Sequence, residues 1–263
     1  MSTLDVSLGE VAASMVLVAL AAAVSFWRRA ELEGDLGLAV LRSFLQLTAV
    51  GYVIQAIFDS DSLWLVALLL AGMVAFGTFT ARARARAVPG ATGAIALALG
   101  SAAAATLGLV LALGVFDATP RFLVPVGGMV IGNAMTSTAV ALNRLADEVH
   151  GQARLIEATL ALGATSRQAA AGLVTRSLRS GMIPLIDSTK TTGVVFFPGT
   201  MVGSLLAGAE PLDAVRLQLI LLWVLLGAVA LSALIAVSLG YRGFFTPAHQ
   251  LREPPERSTM LGA

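Results

Sequence analysis

The sequence contains no cysteine, a single lysine at Lys190, and only two histidines. The absence of cysteine excludes disulfides, thiolate metal sites and iron–sulfur clusters. His150 and His249 lie far apart and no His-x3-His spacing occurs, so we expect no dedicated metal site. The chain also lacks a phosphate-cradling Gly-x4-Gly-Lys-Ser/Thr loop and a nucleophile elbow, so we expect no ATP hydrolysis by this chain alone and no enzyme chemistry of these types. With a net charge of +1 and basic residues spread over several segments, nucleic-acid binding is not expected.

Apolar residues dominate what the chain does contain. They make up 57% of it, and the mean hydropathy is +0.86. Stretches of about 20 residues with few charges recur, which is the length needed to cross roughly 30 Å of hydrocarbon. The sequence therefore predicts an all-α polytopic bundle, a single transmembrane domain over 1–263 in the cell membrane, surrounded by lipid. The seven predicted spans are 8–27, 38–58, 63–80, 93–116, 122–142, 191–208 and 214–239.

Arginines distinguish the two sides of these spans. When seven spans are threaded in order, one side receives nearly all basic residues, including the alternating run 82–86 and Arg242. The other side receives only Arg121 and Arg216, together with acidic residues such as Asp117. The positive-inside rule then predicts an N-terminus outside the cell and a C-terminus in the cytoplasm.

The longest segment outside the predicted spans, 143–190, is expected to form a cytosolic elbow of two helices. A first helix over about 152–162 should end at Gly163, which suits the left-handed conformation just past a helix end. Thr165 and the glutamine three residues later form a capping-box pattern that begins a second helix, to about residue 179. Such a connection can transmit motion to the membrane spans.

The run EATLALGAT at 157–165 resembles the coupling loop by which permease subunits of ATP-binding-cassette (ABC) transporters dock onto their ATPases. More of the chain resembles, in the same order, the FetB-type iron exporters and the related plant aluminium-tolerance permeases. The blocks that carry this resemblance are RSFLQLTAVGYVIQAIF (42–58), GMVIGNAM (128–135), LALGATSRQ (160–168), IPLIDSTKTTG (183–193), PGTM (198–201) and AGAEPLDAVRLQ (207–218).

The match to the general ABC importer loop is partial. Thr159 stands where that loop has a second alanine, and the nearest proline after Gly163 is Pro184, about 20 residues on. The resemblance therefore supports the narrower family and leaves the direction of transport open.

The resemblance implies a permease subunit that exports iron or another metal or polar solute. A separate cytosolic ATPase would bind ATP and magnesium, so no cofactor is expected in this chain. Seven spans are few for a complete ABC pump, which implies a homodimer. The residues expected to couple to the ATPase are Glu157, Ala158, Leu162, Gly163, Ala164, Thr165 and Arg167. An ATP-independent transporter or channel, or a membrane adaptor that recruits a cytosolic protein, remains the alternative.

Polar residues within the predicted spans are the other candidates for function. Lys190 and Asp187 share a helix face at the expected cytosolic mouth of the sixth span, either as a gate or as a structural ion pair. Side chains at helical spacing in the fifth span either line a solute path or join helices, and a proline is expected to kink the sixth span. The candidate path or gate residues are Met129, Asn133, Met135, Thr136, Asp187, Lys190 and Pro198.

Overall fold

A computed structural model of the chain describes residues 7–252. Within that range the backbone forms nine α-helices and one 3-10 helix. These are α1 (Leu8–Arg28), α2 (Glu33–Ser60), α3 (Leu63–Arg84), α4 (Ala91–Ala112), α5 (Pro120–Gly151), α6 (Ala153–Ala161), α7 (Ser166–Thr191), α8 (Gly199–Leu206), α9 (Pro211–Gly240) and the 3-10 helix η1 (Tyr241–Phe244). Six helices, α1 to α5 and α9, are long and apolar enough to cross a membrane. The predicted polytopic helix bundle is confirmed.

The helices α1 and α2 form a compact unit of their own that ends at Ser62. The turn between them is closed by Ser25, whose Oγ donates to Glu33 Oε2 at 2.7 Å and accepts from the Leu32 N–H at 3.0 Å. Most of their apolar side chains are exposed, as for Leu17 at 76%. Such surfaces suit contact with lipid tails.

The second unit begins at residue 63, and close contacts at glycines fix the directions of its helices. Gly127 of α5 lies against Leu70 near the start of α3. Further along both helices, Gly77 of α3 lies against Ile131 of α5 and Leu99 of α4. The helices α3 and α5 therefore run parallel to each other. The helix α4, which lies between them in sequence, runs antiparallel to both.

The last residue of α9, Gly240, shows that this helix also runs parallel to α5. It lies against Leu142 and Leu145 in the C-terminal part of α5 and against Val88 in the α3–α4 loop. The C-terminal ends of α3, α5 and α9 thus meet at one end of the unit, which we call the basic end. Its arginines are Arg82, Arg84, Arg86, Arg144, Arg154, Arg167, Arg176, Arg179, Arg242 and Arg252.

The helix α7 returns along α5 in the antiparallel direction. In its first half Arg176 pairs with Glu148, and further on Gly181 packs against Ala141. A Cβ at position 181 would lie 2.7 Å from the Ala141 Cβ and 3.0 Å from the Ser137 carbonyl oxygen. The Ser137 hydroxyl donates to the Gly181 carbonyl at 2.7 Å. A glycine at this position therefore allows the two helices to touch.

The prediction of a single helical span over 191–208 is wrong. The helix α7 extends well past the predicted end of the second elbow helix, with Pro184 inside it, because packing against α5 outweighs the lost backbone hydrogen bond. The helix is then interrupted at 192–198, where Gly193 has a φ of +84°. Pro198 caps α8 instead of kinking a span, and α8, with 8 residues, is too short to cross about 30 Å.

The return crossing is built from several pieces. Because α5 and α9 both reach the basic end with their C-termini, the chain between them must travel to the opposite end. Three consecutive segments lead the chain to that end: the second half of α7, the break at 192–198 and α8. At the start of α8 the Thr200 hydroxyl donates to the Gln218 side-chain oxygen at 2.5 Å, which joins α8 to α9.

Candidate functional site

The turn between α6 and α7 forms the elbow at the basic end. Gly163 has a φ of +92°, as predicted, and its N–H donates to the Leu160 carbonyl at 2.9 Å. The next N–H, of Ala164, donates to the Thr159 carbonyl at 3.3 Å. These two bonds form a Schellman motif, which ends α6 and satisfies carbonyls that would otherwise lack a partner.

The start of α7 is fixed by the predicted capping box. The Thr165 hydroxyl accepts from the Gln168 N–H at 3.3 Å, and the Gln168 side-chain oxygen accepts from the Thr165 N–H at 2.9 Å. With a closed helix end on one side and a capped helix start on the other, little freedom remains in the turn.

The predicted coupling residues all lie on or beside this turn. In α6 only Ile156 is buried, whereas Glu157 and Leu162 are exposed, the latter at 90%. The structure brings together Glu157, Ala158, Leu162, Gly163, Ala164, Thr165 and Arg167, of which all but the half-buried Ala164 are exposed. The elbow therefore presents one accessible surface.

A buried carboxylate, Glu148, joins the elbow to α5. Its side chain is only 6% exposed and contacts Arg144 at 2.5 Å and Arg176 at 2.8 Å. Gln152 donates to the same carboxylate at 2.5 Å. Because Arg176 belongs to α7 and the other residues to the end of α5, Glu148 fastens the two helices together.

Glu148 lies beyond Leu142, where the predicted fifth span ends. Hydrogen bonding from Arg176 is the main cause that lowers the pKa of Glu148 below its ordinary value of 4.5, and the charges of Arg176 and Arg144 add to this effect against the opposing effect of burial. Sequence reasoning missed this residue. The spacing of Arg144 and Glu148 was a usable signal, but nothing local points to Arg176.

A second contact missed by sequence reasoning ties the C-terminal segment to the elbow. The Ser166 N–H donates to His249 Nδ1 at 3.3 Å, and the Ser166 hydroxyl lies 3.0 Å from the same nitrogen. His249 has a φ of +58°, in a turn closed by a bridge between Phe245 and Leu251. The first residue of α7 is therefore held from two directions.

A polar cavity of about 170 Å³ lies between α5, α7 and α9. Its polar side chains are Asn133, Thr136, Ser137 and Ser188, and its apolar side includes Val229. The Asn133 amide donates to the Met129 carbonyl at 2.8 Å, which leaves the amide oxygen able to accept a bond from a solute.

The ion pair of Asp187 and Lys190 lies beside this cavity. Lys190 Nζ is 3.2 Å from Asp187 Oδ1, and the side chains are 69% and 61% exposed, respectively. Ser188 shares the cavity with Asn133, which is about midway along the predicted span 122–142. The pair therefore lies deeper along α5 than the cytosolic mouth at which the sequence places it.

Comparison with known proteins gives the family. The sequence profile of the uncharacterised protein family UPF0014 matches residues 8–245. The chain belongs to the UPF0014 family. It is 42% identical over 241 residues to "UPF0014 membrane protein STAR2" of Oryza sativa subsp. japonica, covering 92% of this chain and 85% of that protein.

Two further UPF0014 relatives are informative. The chain is 39% identical over 241 residues to "Protein ALUMINUM SENSITIVE 3" of Arabidopsis thaliana, covering 92% of this chain and 88% of that one. It is 33% identical over 251 residues to "Probable iron export permease protein FetB" of Escherichia coli (strain K12), covering 95% and 97%. No solved structure matches the chain. The suspected family is confirmed, and the protein is a multi-pass membrane permease.

Not all predicted path residues of this UPF0014 chain meet at the cavity. Asn133 and Thr136 line it, whereas Met129 contributes only its carbonyl to the Asn133 amide. Met135 faces α3, with its sulfur 3.9 Å from a Cβ placed at Gly77. In residues 7–252 no three histidine, aspartate or glutamate side chains are grouped as metal ligands.

Proposed function

We propose that this UPF0014 chain is the membrane-spanning subunit of an ABC transporter and that its elbow docks a separate cytosolic ATPase. The observation that carries the proposal is the capped turn at Gly163 beside the 90% exposed Leu162. An apolar side chain on a rigid projection beyond the membrane spans suits insertion into a cleft of a partner protein. ATP and magnesium are bound by that partner.

The buried Glu148 supports mechanical coupling. A force on the elbow reaches α5 through Arg176 and the carboxylate, and reaches α7 directly. Both helices line the polar cavity, so a displacement of the elbow changes the same wall that a solute would contact. This arrangement connects ATP hydrolysis in the partner with the membrane path.

The exposed ion pair supports assembly as a homodimer. Each charge at the bilayer centre costs on the order of 2.5–3.5 kcal/mol, and Asp187 and Lys190 are both more than half exposed. A second copy facing this side of α7 would cover the pair and enclose a polar path between the two chains. Two copies would also present two elbows to two ATPases.

The proposed cargo is iron or another metal or polar solute, moved outwards. Amide and hydroxyl groups at Asn133, Thr136 and Ser188 can replace part of the hydration shell of such a solute. The name of the Escherichia coli relative supports iron export. We further propose that the basic end faces the cytoplasm and that the N-terminus lies outside.

Docking can be tested with a pair of glycine variants. Gly163→Val places a β-branched residue at a φ of +92° and should displace the start of α7. Gly93→Val, in the first turn of α4 at the same end and with open space around it, is the matched control. We expect Gly163→Val to reduce co-purification with the ATPase and the ATP hydrolysis stimulated by the permease, and Gly93→Val to retain both.

The alternatives give other outcomes in this experiment. Normal ATPase binding and stimulation in Gly163→Val would remove the elbow as the docking site. Solute flux that persists without any ATPase would indicate a secondary transporter or channel. Binding of a cytosolic protein without flux would indicate an adaptor.

A further inference from the structure

A second cavity, of about 460 Å³, lies at the basic end between the first turns of α7 and the end of α9. It is separate from the polar cavity described above, with which it shares no residue. The side chains around it are Arg167, Ala171, Val174, Ser238, Tyr241 and Arg242. Its size is in the range of cavities that hold small ligands.

The charged side chains that line this cavity are all positive. Arg167 and Arg242 both line it, and no carboxylate does so among the residues described. At the same end Arg144 and Arg176 are paired with Glu148, whereas within residues 7–252 neither Arg167 nor Arg242 has a side-chain hydrogen bond or an ion pair. Two like charges that share a cavity repel each other, and an anion between them would relieve this repulsion.

Neutral donors complete the lining. In the described part of the chain the hydroxyls of Tyr241 and Ser238 make no hydrogen bond, so both can donate to a ligand. The Tyr241 ring is held edge-on by Phe245, at 6.3 Å between centroids. The cavity thus combines two guanidinium groups with two hydroxyl donors, a set that matches the several acceptor oxygens of a phosphoryl group.

Both walls of the cavity are fixed by packing. On one side, η1 is pressed against the α3–α4 loop so closely that a Cβ at Gly243 would overlap the Pro89 carbonyl. The next residue, Phe244, is 2% exposed. On the other side, Arg167 lies in the first turn of α7, which the capping box and His249 hold in place. The backbone that carries Arg167 and Arg242 is therefore fixed, so binding a ligand has to order only their exposed side chains.

We propose that this cavity binds a phosphoryl group through Arg167, Arg242, Tyr241 and Ser238. The group is either the phosphate of an anionic phospholipid headgroup or a free phosphate. Ala171 and Val174 give the cavity an apolar side, and clefts of this kind at the basic ends of membrane helices suit lipid headgroups. The proposal does not depend on docking of an ATPase and is tested without one.

The test uses the whole chain purified in a maltoside detergent, which carries no phosphate. The melting temperature is measured after addition of inorganic phosphate, of phosphatidylglycerol, or of chloride at equal ionic strength. The variants are Arg242→Gln and Tyr241→Phe, and the matched control is Arg154→Gln, an exposed arginine at the same end with no described partner. Arg242→Gln lies outside the set of residues proposed to couple to the ATPase.

We expect one of the two phosphate probes to raise the melting temperature of the wild type above the value in chloride. In Arg242→Gln the apparent affinity for that probe should fall by at least about tenfold, and in Tyr241→Phe by a smaller factor. Arg154→Gln should respond as the wild type does. A response to phosphatidylglycerol alone assigns the site to a lipid headgroup, and a response to inorganic phosphate alone assigns it to a soluble anion.

Two results would overturn the proposal. One is the absence of any rise with both probes beyond that in chloride. The other is an equal rise in wild type, Arg242→Gln and Tyr241→Phe, which would show that the anion acts elsewhere on the surface. If Arg242→Gln melts lower than wild type in chloride, Tyr241→Phe, which keeps all charges, decides between the outcomes.

Discussion

Arg176 of α7 and Glu148 of α5 are joined by two contacts of 2.8 Å, from Nε and Nη2 of the guanidinium to one carboxylate oxygen. Hydrogen bonds to charged groups contribute about 1.5–3 kcal/mol when they are well formed. Because Arg176 is half-exposed, we expect Arg176→Gln to lower the free energy of unfolding by about 1–2 kcal/mol. Denaturant unfolding in detergent measures the change. Arg179→Gln removes a nearby exposed arginine with no described partner and should change the value by less than about 0.5 kcal/mol; equal losses would contradict the role of the pair.

The lowered pKa of Glu148 predicts a pH dependence of stability. The folded state binds fewer protons at this carboxylate than the unfolded state does, so its contribution is present above the ordinary pKa of 4.5 and is lost as the pH falls through the lower folded pKa. We expect the melting temperature of the wild type to fall more steeply below about pH 5 than that of Glu148→Gln. Parallel curves for the two proteins would show that other groups cause the acid sensitivity.

Two glycines of α7 should respond to alanine in opposite ways. At Gly181 the added Cβ would meet Ala141 and the Ser137 backbone, neither of which can move freely, so Gly181→Ala should destabilise the protein by about 1–3 kcal/mol. At Gly172 the Cβ would meet only Nη1 of Arg176, at 3.3 Å, which is the guanidinium nitrogen that does not contact Glu148. A small shift of that nitrogen leaves the pair intact, so the helix propensity of alanine should raise stability by about 0.5–1 kcal/mol. Unfolding curves that shift in the same direction for both variants would contradict the packing of α7 on α5.

The deep ion pair predicts a specific effect on transport. Lys190→Met leaves Asp187 without its partner and should reduce solute flux, measured as intracellular iron in cells that also carry the ATPase. Adding Asp187→Leu should restore protein level without restoring flux. The pair Asp213 and Arg216, with the same spacing and a 3.0 Å contact, supplies the control Arg216→Met. Recovery of flux in the double variant would make the pair purely structural.

Topology can be read by labelling, because the chain has no cysteine of its own. Ser60 and Ala83 are both exposed, at the end of α2 and near the end of α3. We expect Ser60→Cys to react with a membrane-impermeant thiol reagent in intact cells and Ala83→Cys only after lysis. The reverse result would place the basic end outside.

The elbow could be predicted from sequence because its signals are local. Gly163 at a helix end and Thr165 three residues before a glutamine specify their own hydrogen bonds, and both motifs form as expected. Six of the spans could also be predicted from sequence, since a long apolar run determines a membrane helix almost independently of the helices packed against it.

Features that depend on contacts between residues far apart in the chain could not be predicted from the sequence. The end of α7 is determined by packing at Gly181 against α5, which outweighs the local signal of Pro184. Because α7 is longer than predicted, it places Lys190 away from the basic end. The error in the end of this helix therefore led to an error in the predicted depth of Lys190 in the membrane. Glu148 and Arg176 are 28 residues apart, and hydropathy does not indicate which arginine a carboxylate contacts.

In the break at 192–198 the peptide groups leave the helical hydrogen-bond pattern partway along the crossing. The Gly193 N–H reaches the Phe196 carbonyl at 2.9 Å, but the N–H of Phe197, a residue that is 57% exposed, makes no hydrogen bond within residues 7–252. Hydrocarbon offers no partner to a backbone amide, and each unsatisfied group there costs several kcal/mol. This stretch therefore cannot lie against lipid tails: it must be hydrated or buried in protein, and either condition makes this side of the permease different from the lipid-facing surfaces of its unbroken helices.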